Sequence, residues 1–331
     1  MNDFQHTDVA ATRAAPPSSR NAIVRFVRRR PLTAWLIWAF TVGQALAFIP
    51  VIGALNGVEV LTRPLVWQTF VCASSVIGLF LPAAVITRIV DGSEGLQAYW
   101  RSAFAVGVPA RWYALAFLGV PVVATVLALA LFGPPAPGAS VASVLLTGFV
   151  LQTVLTFLPN NWWEEVGWMG FVQRRLQDRY GSAVRAALLT APLFGLYHIS
   201  LVALAGARGA LTIGILILLA VPFRIVMGWA FNRTGSLFMV GLLHAVGNGM
   251  ALGAGFGFGT GVIPALYPDA ALAGFIHLLS FVIIGIAVLV TTRGRAGLHA
   301  QVPCPSDRAQ AEPAPSPRRG DVIDRVGQIE V

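Results

Sequence analysis

The sequence predicts an all-α fold, a polytopic bundle of transmembrane helices. Of its 331 residues, 56% are hydrophobic and only 11% are charged, whereas ordinary soluble domains carry about 25% charged residues. Apolar runs of about 20 residues, the length that crosses a bilayer as a helix, recur along the chain. These observations exclude a water-soluble globular enzyme and make the lipid bilayer an expected partner.

The net charge of +9 indicates membrane topology and not nucleic-acid binding. All 23 basic residues are arginine, and they concentrate in the two tails and in alternate connectors. Because cytoplasmic loops are enriched in Arg and Lys, this distribution predicts that both termini are cytoplasmic. The exclusive use of arginine is typical of a GC-rich bacterial genome, so we expect a multi-pass protein of the bacterial plasma membrane.

The apolar runs predict about eight spans. They cover about 33–55, 65–87, 113–132, 184–205, 209–231, 236–256 and 270–291, and the fourth span runs from about 141 towards the connector at 161. Between the second and third, the mixed-charge connector 88–112 predicts an interfacial amphipathic helix, and a polar connector is expected at 161–183. The predicted domains are a disordered basic N-terminal tail (1–32), a membrane domain (33–292) and a disordered C-terminal tail (293–331).

The first apolar run has a second interpretation. Ala45-Leu46-Ala47 resembles a signal-peptidase site, so a cleaved signal is the alternative to a retained span. We favour a retained span because the apolar stretch continues to Leu55 and the polar stretch before it is unusually long for a signal.

Two adjacent acids stand out at the end of the fourth apolar run. Of fourteen Asp and Glu residues, only Glu164 and Glu165 lie at the border of an apolar segment; the others fall in the tails or in stretches expected to be loops. An ionisable group bordering hydrocarbon is costly enough to indicate a functional site. Adjacent helical residues point about 100° apart, so we expect one carboxylate to carry chemistry and the other to orient it or meet a neighbouring helix.

Two of the five histidines form patterns within predicted spans. Phe194 precedes His198 by four residues, and His244 precedes Asn248 by four, which places each pair on one helix face. His277 stands alone, and we expect it to be a hydrogen-bonded structural residue. Taken singly, each of these residues is most often a satisfied polar group between helices; together they predict one site.

A carboxylate and a histidine that share a water molecule form a general base. A second histidine and an Asn amide can donate to the oxyanion of a tetrahedral intermediate. Catalytic residues are therefore predicted at Glu164, Glu165, His198, His244 and Asn248. A zinc ion held by Glu164, His198 and His244 is an equally open alternative, because two His and one Glu with an open position form a catalytic zinc set.

These motifs resemble the signature of the CPBP family of intramembrane proteases, which includes the type II CAAX prenyl endopeptidases and bacteriocin-processing, Abi-type proteins. The matching elements are the Glu pair, Phe194 with His198, and His244 with Asn248, in the family's order, within residues 140–250. The resemblance implies that Glu164 and His198 activate water, and that His244 and Asn248 stabilise the oxyanion or hold a metal.

One position departs from the family pattern. The motif E-E-x-x-x-R would place arginine at position 169, where this chain has Met169. We expect Arg224, the one arginine deep in an apolar run, to supply the missing cation; the alternative is an arginine that snorkels to the inner interface. Further candidate residues, which would contact the substrate or support the catalytic side chains, are Phe194, Met169, Arg224 and Trp168.

The predicted function is hydrolysis of a peptide bond in a membrane-embedded or lipid-anchored protein or peptide substrate. A second possibility is a non-proteolytic relative that acts as an immunity or scaffold protein, which Met169 favours. A third is a transporter with a Glu–His proton relay, but its expected inverted repeats are not visible in the sequence.

Overall fold

The computed structural model describes residues 19–135, 140–251, 260–270 and 272–298. Within these ranges all regular structure is helical and no residue lies in a strand, which confirms the all-α class. The predicted disorder of residues 1–18 and 299–331 falls outside the described residues.

Ten helices build the described chain, and they are numbered here in chain order. They are α1 (Ser19–Arg29), α2 (Pro31–Leu55), α3 (Pro64–Val90), α4 (Gly92–Ala103), α5 (Ala110–Phe132), α6 (Val144–Tyr180), α7 (Ala183–Tyr197), α8 (Gly206–Thr234), α9 (Leu237–Met250) and α10 (Ala273–Thr291). Short helical turns lie at Glu59–Thr62, Ile199–Val202 and Val262–Leu266.

Six helical stretches in the described ranges are long and apolar enough to cross a membrane: α2, α3, α5, α6, α10, and α8 together with the turns before it (Ile199–Thr234). Two further apolar helices, α7 and α9, are shorter. Each of the eight predicted apolar segments overlaps one of these helices, although some of the bounds differ. The count of eight spans and the cytoplasmic termini stay predictions.

Helix α6 is longer than the sequence indicated. The prediction of a polar connector at 161–183 is wrong for most of that range, because the helix continues without interruption to Tyr180. The helix ends where Gly181 adopts φ +59. Charged residues at 174–179 suggested a loop, but a helix leaving the apolar layer can carry them. The Glu pair consequently lies in mid-helix, about 30 Å from the N-terminal end of α6.

The predicted fifth span, 184–205, is interrupted. Helix α7 ends at Tyr197, and His198 leaves the helical conformation with φ −85 and ψ 5. Gly206, with φ +55, then begins α8. A hydropathy pattern does not detect such a turn, because the turn residues are as apolar as those of the helices.

The predicted tails are partly ordered. Within the range expected to be disordered, Ser19–Arg29 form α1, where Val27 is buried and Arg28 Nε donates to the carbonyl of Ile89. At the other end, Ala296 is buried and its carbonyl accepts from Asn232 Nδ2. Amphipathic spacing and small residues allow these polar stretches to pack on the bundle.

Helix α4 is the amphipathic helix predicted in connector 88–112. It buries Tyr99 and Ala103, and Tyr99 Oη donates to the carbonyl of Val166 on α6. Glu94 also lies on α4, and Asp178 lies on α6; the expectation that both were in loops is wrong.

Helices α2 and α3 approach closely through glycine. A Cβ built on Gly78 would lie 2.4 Å from the Cα of Gly43 and 2.7 Å from Tyr197 Oη. Close by, the indole nitrogen of Trp35 donates to the carbonyl of Leu79 at 2.9 Å. The absence of a side chain at Gly78 therefore brings α2, α3 and the end of α7 together.

Substitution Gly78→Ala should reduce the free energy of unfolding by about 1–3 kcal/mol, because an added methyl has no room in this contact. The control is Gly214→Ala on α8, where nothing lies within 4 Å of the added carbon and helix propensity favours alanine. Thermal unfolding in detergent measures both variants; equal midpoints would contradict the packing argument.

Candidate functional site

Four helical elements bring the predicted site residues together. Helix α6 carries Glu164 and Glu165, and His198 is the first residue after α7. Arg224 lies on α8, and α9 carries His244 with Asn248. Helices α7 and α8, α8 and α9, and α6 and α9 pack directly on each other.

Glu165 forms a fully buried ion pair. Its Oε1 and Oε2 each lie 2.8 Å from Nη1 of Arg224, and both side chains are inaccessible to solvent. The arginine therefore does not snorkel to an interface. If Arg224 supplies the cation that is absent at position 169, it must contact the Glu pair. The Arg224–Glu165 ion pair is such a contact.

Arg224 is held by further contacts. Its Nε donates to Gln173 Oε1 at 2.8 Å, and Gln173 Nε2 donates back to the carbonyl of Arg224 at 2.9 Å. The rings of Phe194 and Phe223 lie 5.5 and 5.8 Å from the guanidinium carbon. Nη2 has no hydrogen-bond partner among the described residues, and the two rings add a cation–π contact to the guanidinium group.

His244 uses both ring nitrogens. Its Nδ1 lies 3.1 Å from Glu165 Oε1, and a carboxylate paired with arginine only accepts, so Nδ1 carries the proton. Nε2 is then the acceptor for the Asn161 amide at 3.4 Å. The second carboxylate of the pair thus fixes the tautomer of His244 as well as neutralising Arg224.

Asn161 is a site residue that the sequence reasoning missed. Its Nδ2 lies 3.3 Å from Glu164 Oε2 and also faces His244, while its Oδ1 accepts from Asn248 Nδ2 at 3.0 Å. One buried amide therefore connects the first carboxylate to both polar residues of α9. The sequence signal that could have found it is its position, three residues before Glu164 and so about one helical turn away.

Glu164 and His198 face each other across a gap. His198 Nε2 lies 3.9 Å from Glu164 Oε1, beyond direct hydrogen-bond distance. His198 Nδ1 lies 2.8 Å from the carbonyl of Phe194, which can only accept, so Nδ1 carries a hydrogen and the neutral form of the ring has its lone pair on Nε2. That carbonyl is available because α7 ends at Tyr197.

A small cavity of about 50 Å³ opens at this gap. Its lining combines polar groups of α3, α6 and α7 with apolar side chains. The lining residues are Ala47, Val71, Ser74, Ser75, Asn160, Glu164, Tyr197, His198, Ser200 and Leu201. The cavity is large and polar enough to hold ordered water.

The other candidate residues are buried around the site. Phe194 packs on His198 and His244 with ring-centroid distances of 4.8 and 5.9 Å. Trp168 is fully buried 5.8 Å from Phe194, and Met169 is fully buried beside it. His277 lies outside these contacts, and its Nδ1 lies 3.1 Å from the carbonyl of Gly274, in agreement with a structural histidine.

Comparison with protein families identifies the segment that carries this site. Residues 146–250 match the family model described as type II CAAX prenyl endopeptidase Rce1-like. This segment is similar to the Rce1-like family, and we refer to it as the Rce1-like domain. This match confirms the resemblance inferred from the motifs and, at family level, supports a CAAX-type intramembrane protease. The searches of curated proteins and of solved structures gave no match.

The Rce1-like domain does not present a formed metal site. Among the described residues, no group of three or more His, Cys, Asp or Glu side chains is placed to hold an ion. Nε2 of His244 is directed at the Asn161 amide, while Nε2 of His198 is directed at Glu164. The predicted zinc ligands therefore do not converge on one point in this arrangement.

Substitution Arg224→Met should destabilise the protein by about 3–5 kcal/mol, because it leaves the Glu165 carboxylate buried without its counter-charge. Adding Glu165→Gln removes that charge and should recover part of the loss. Thermal unfolding in detergent compares the single and double variants.

The matched control is Arg88→Met, an exposed arginine with no ion pair among the described residues, which should leave the midpoint almost unchanged. A double variant that unfolds as early as Arg224→Met alone would show that the unpaired charge is not the cause.

Proposed function

We propose that the protein is an intramembrane endopeptidase in which Glu164 and His198 activate a water molecule to hydrolyse a peptide bond. The observation that supports this most directly is the 3.9 Å gap between Glu164 Oε1 and His198 Nε2 at a water-sized cavity. The Rce1-like domain supports the reaction class.

The hydrogen-bonding capacity of Glu164 and His198 favours a water molecule between them. A water molecule at about 2.8 Å from each atom fits across it. Because Glu164 is a carboxylate and His198 Nε2 carries a lone pair, both groups accept hydrogen bonds. Such a water molecule donates both hydrogens to the protein, and its oxygen lone pairs are free to face a substrate carbonyl.

The reaction then proceeds in two steps. The water oxygen forms a bond to the scissile carbonyl carbon, the carbonyl π electrons move to oxygen, and Glu164 takes the proton that leaves the water. Glu164 next passes this proton to the amide nitrogen as the carbon–nitrogen bond breaks. The products are a carboxylic acid, which ionises, and an amine.

We propose roles for His244 and Asn248 on α9 that differ from those that the resemblance implies. His244 has its N–H on Glu165 and its lone pair towards Asn161, so the neutral ring offers no free donor. Asn248 Nδ2 has two hydrogens, of which one bonds Asn161. Its second hydrogen is the donor that we assign to the oxyanion, and His244 and Asn161 are positioning residues.

The predicted zinc ion is the alternative proposal for the same residues. Glu164, His198 and His244 would hold it, and it would supply Lewis-acid activation of water. This arrangement requires His244 to exchange its contact with Asn161 for the metal.

We expect the substrate to reach the cavity from the lipid side. Away from the carboxylate, the lining comes from α2, α3 and the turn after α7, including Ala47, Val71 and the half-exposed Leu201. An apolar, lipid-facing approach suits a membrane-embedded or lipid-anchored substrate in the bacterial plasma membrane.

A non-proteolytic immunity or scaffold protein is the second candidate. A cavity of about 50 Å³ admits water but no peptide, so proteolysis requires α3 and the turn after α7 to separate. Met169 in place of the motif arginine also favours this candidate.

Substitution Glu164→Gln should reduce cleavage by about 10²–10⁴-fold, the usual contribution of a general base. Mass spectrometry of membrane peptides, from cells expressing wild type or variant at equal levels, measures the effect. Peptides found only with the wild type give the substrate and the cleaved bond. The control is Glu94→Gln, an exposed glutamate on α4, which should match the wild type.

Identical peptide sets from wild type and Glu164→Gln, with both proteins inserted, would contradict proteolysis and favour the scaffold candidate. The same membranes, dialysed against a chelator, separate the two mechanisms. The carboxylate mechanism predicts undiminished cleavage, whereas loss that added zinc restores would support the metal.

A further inference from the structure

A second, larger pocket lies away from the candidate active site, between α5 and α8. Its volume is about 510 Å³, and it is lined by Arg111, Trp112, Leu115, Trp229 and Arg233. Arg233 follows Arg224 by nine residues on α8, about 13 Å along the helix axis. We call it the α5–α8 pocket.

The two arginines of the α5–α8 pocket lack an acidic partner. The four ion pairs of the described residues join Glu164, Glu165 and Asp91 to other side chains, and none includes Arg111 or Arg233. No Asp or Glu lines the pocket. Two guanidinium groups therefore face one space without neutralisation, an arrangement that favours an anion with several acceptor oxygens.

The remaining lining is aromatic and apolar. The rings of Trp112 and Trp229 have centroids 4.9 Å apart, and Trp112 is buried. Tryptophan is enriched where a membrane protein meets the lipid headgroups. The combination of arginine with tryptophan suits a ligand that has a charged phosphate and an apolar body.

The pocket lies at the face where anionic lipid is expected. Arg111 is at the start of α5 and Arg233 is in the last turn of α8, so the two arginine-rich helix ends meet here. The turn at 293–298 packs beside them: a Cβ built on Gly297 would lie 3.1 Å from Arg233 Cγ. The arginine distribution assigns these ends to the cytoplasmic side, whose leaflet carries negative charge.

We propose that the α5–α8 pocket binds the phosphate of an anionic phospholipid headgroup, with Arg111 and Arg233 as its donors and the two tryptophans against the glycerol and acyl region. This site is independent of peptide hydrolysis.

The test uses the full chain in nanodiscs of phosphatidylcholine containing a minor fraction of phosphatidylglycerol. Native mass spectrometry counts the phosphatidylglycerol that the released protein retains. The R111Q/R233Q variant should bind roughly 100-fold less tightly, since each arginine loses a charge-assisted hydrogen bond to the phosphate that is worth about ten-fold in affinity. R88Q/R101Q removes the same charge from exposed positions outside the pocket and should retain the lipid.

Equal loss of phosphatidylglycerol from R111Q/R233Q and R88Q/R101Q would show that the lipid is held by general charge attraction, and it would overturn the proposal. R111K/R233K keeps the charge and should retain most of the lipid; loss as complete as in R111Q/R233Q would contradict phosphate recognition by charge. Inorganic phosphate is added as a competitor, and displacement at equal concentration would assign the pocket to free phosphate and not to a lipid.

Discussion

The buried ion pair between Glu165 and Arg224 is the constraint on which the candidate site depends. Two charges removed from water in the middle of a helical bundle are tolerated only when they neutralise each other and have further hydrogen bonds. Gln173 and His244 supply those bonds. The pair therefore joins α6, α8 and α9 at a fixed register and sets the tautomer of His244.

This constraint explains how two adjacent glutamates can differ in function. Because neighbouring helical residues diverge by about 100°, Glu165 reaches α8 and α9 while Glu164 faces the cavity with His198. The end of α7 completes the arrangement, since it frees the Phe194 carbonyl to fix the protonated nitrogen of His198. Neutralisation on one side thus leaves the other carboxylate facing the cavity, where we propose that it acts as the base.

Hydropathy and motif spacing predicted the all-α class, the helix in 88–112, the Glu pair with its histidines, and Arg224 as a candidate cation. They did not predict Asn161, because an uncharged amide draws less attention than a charge, and only its position one helical turn before Glu164 marks it. They also missed the continuation of α6 past its arginines and the break at His198. The break at His198 depends on a neighbouring helix, because Gln44 Nε2 on α2 donates to the Tyr197 carbonyl that the break exposes. Local composition does not encode such a contact.

We infer that Arg224 takes the place of the arginine missing at position 169. The most direct measurement compares Arg224→Ala with the double variant Met169→Arg/Arg224→Ala, by thermal midpoint in detergent and by cleavage of membrane peptides. Position 169 lies one helical turn after Glu165, so the double variant should regain stability and activity that are lost in the single one. A double variant no better than Arg224→Ala alone would contradict it.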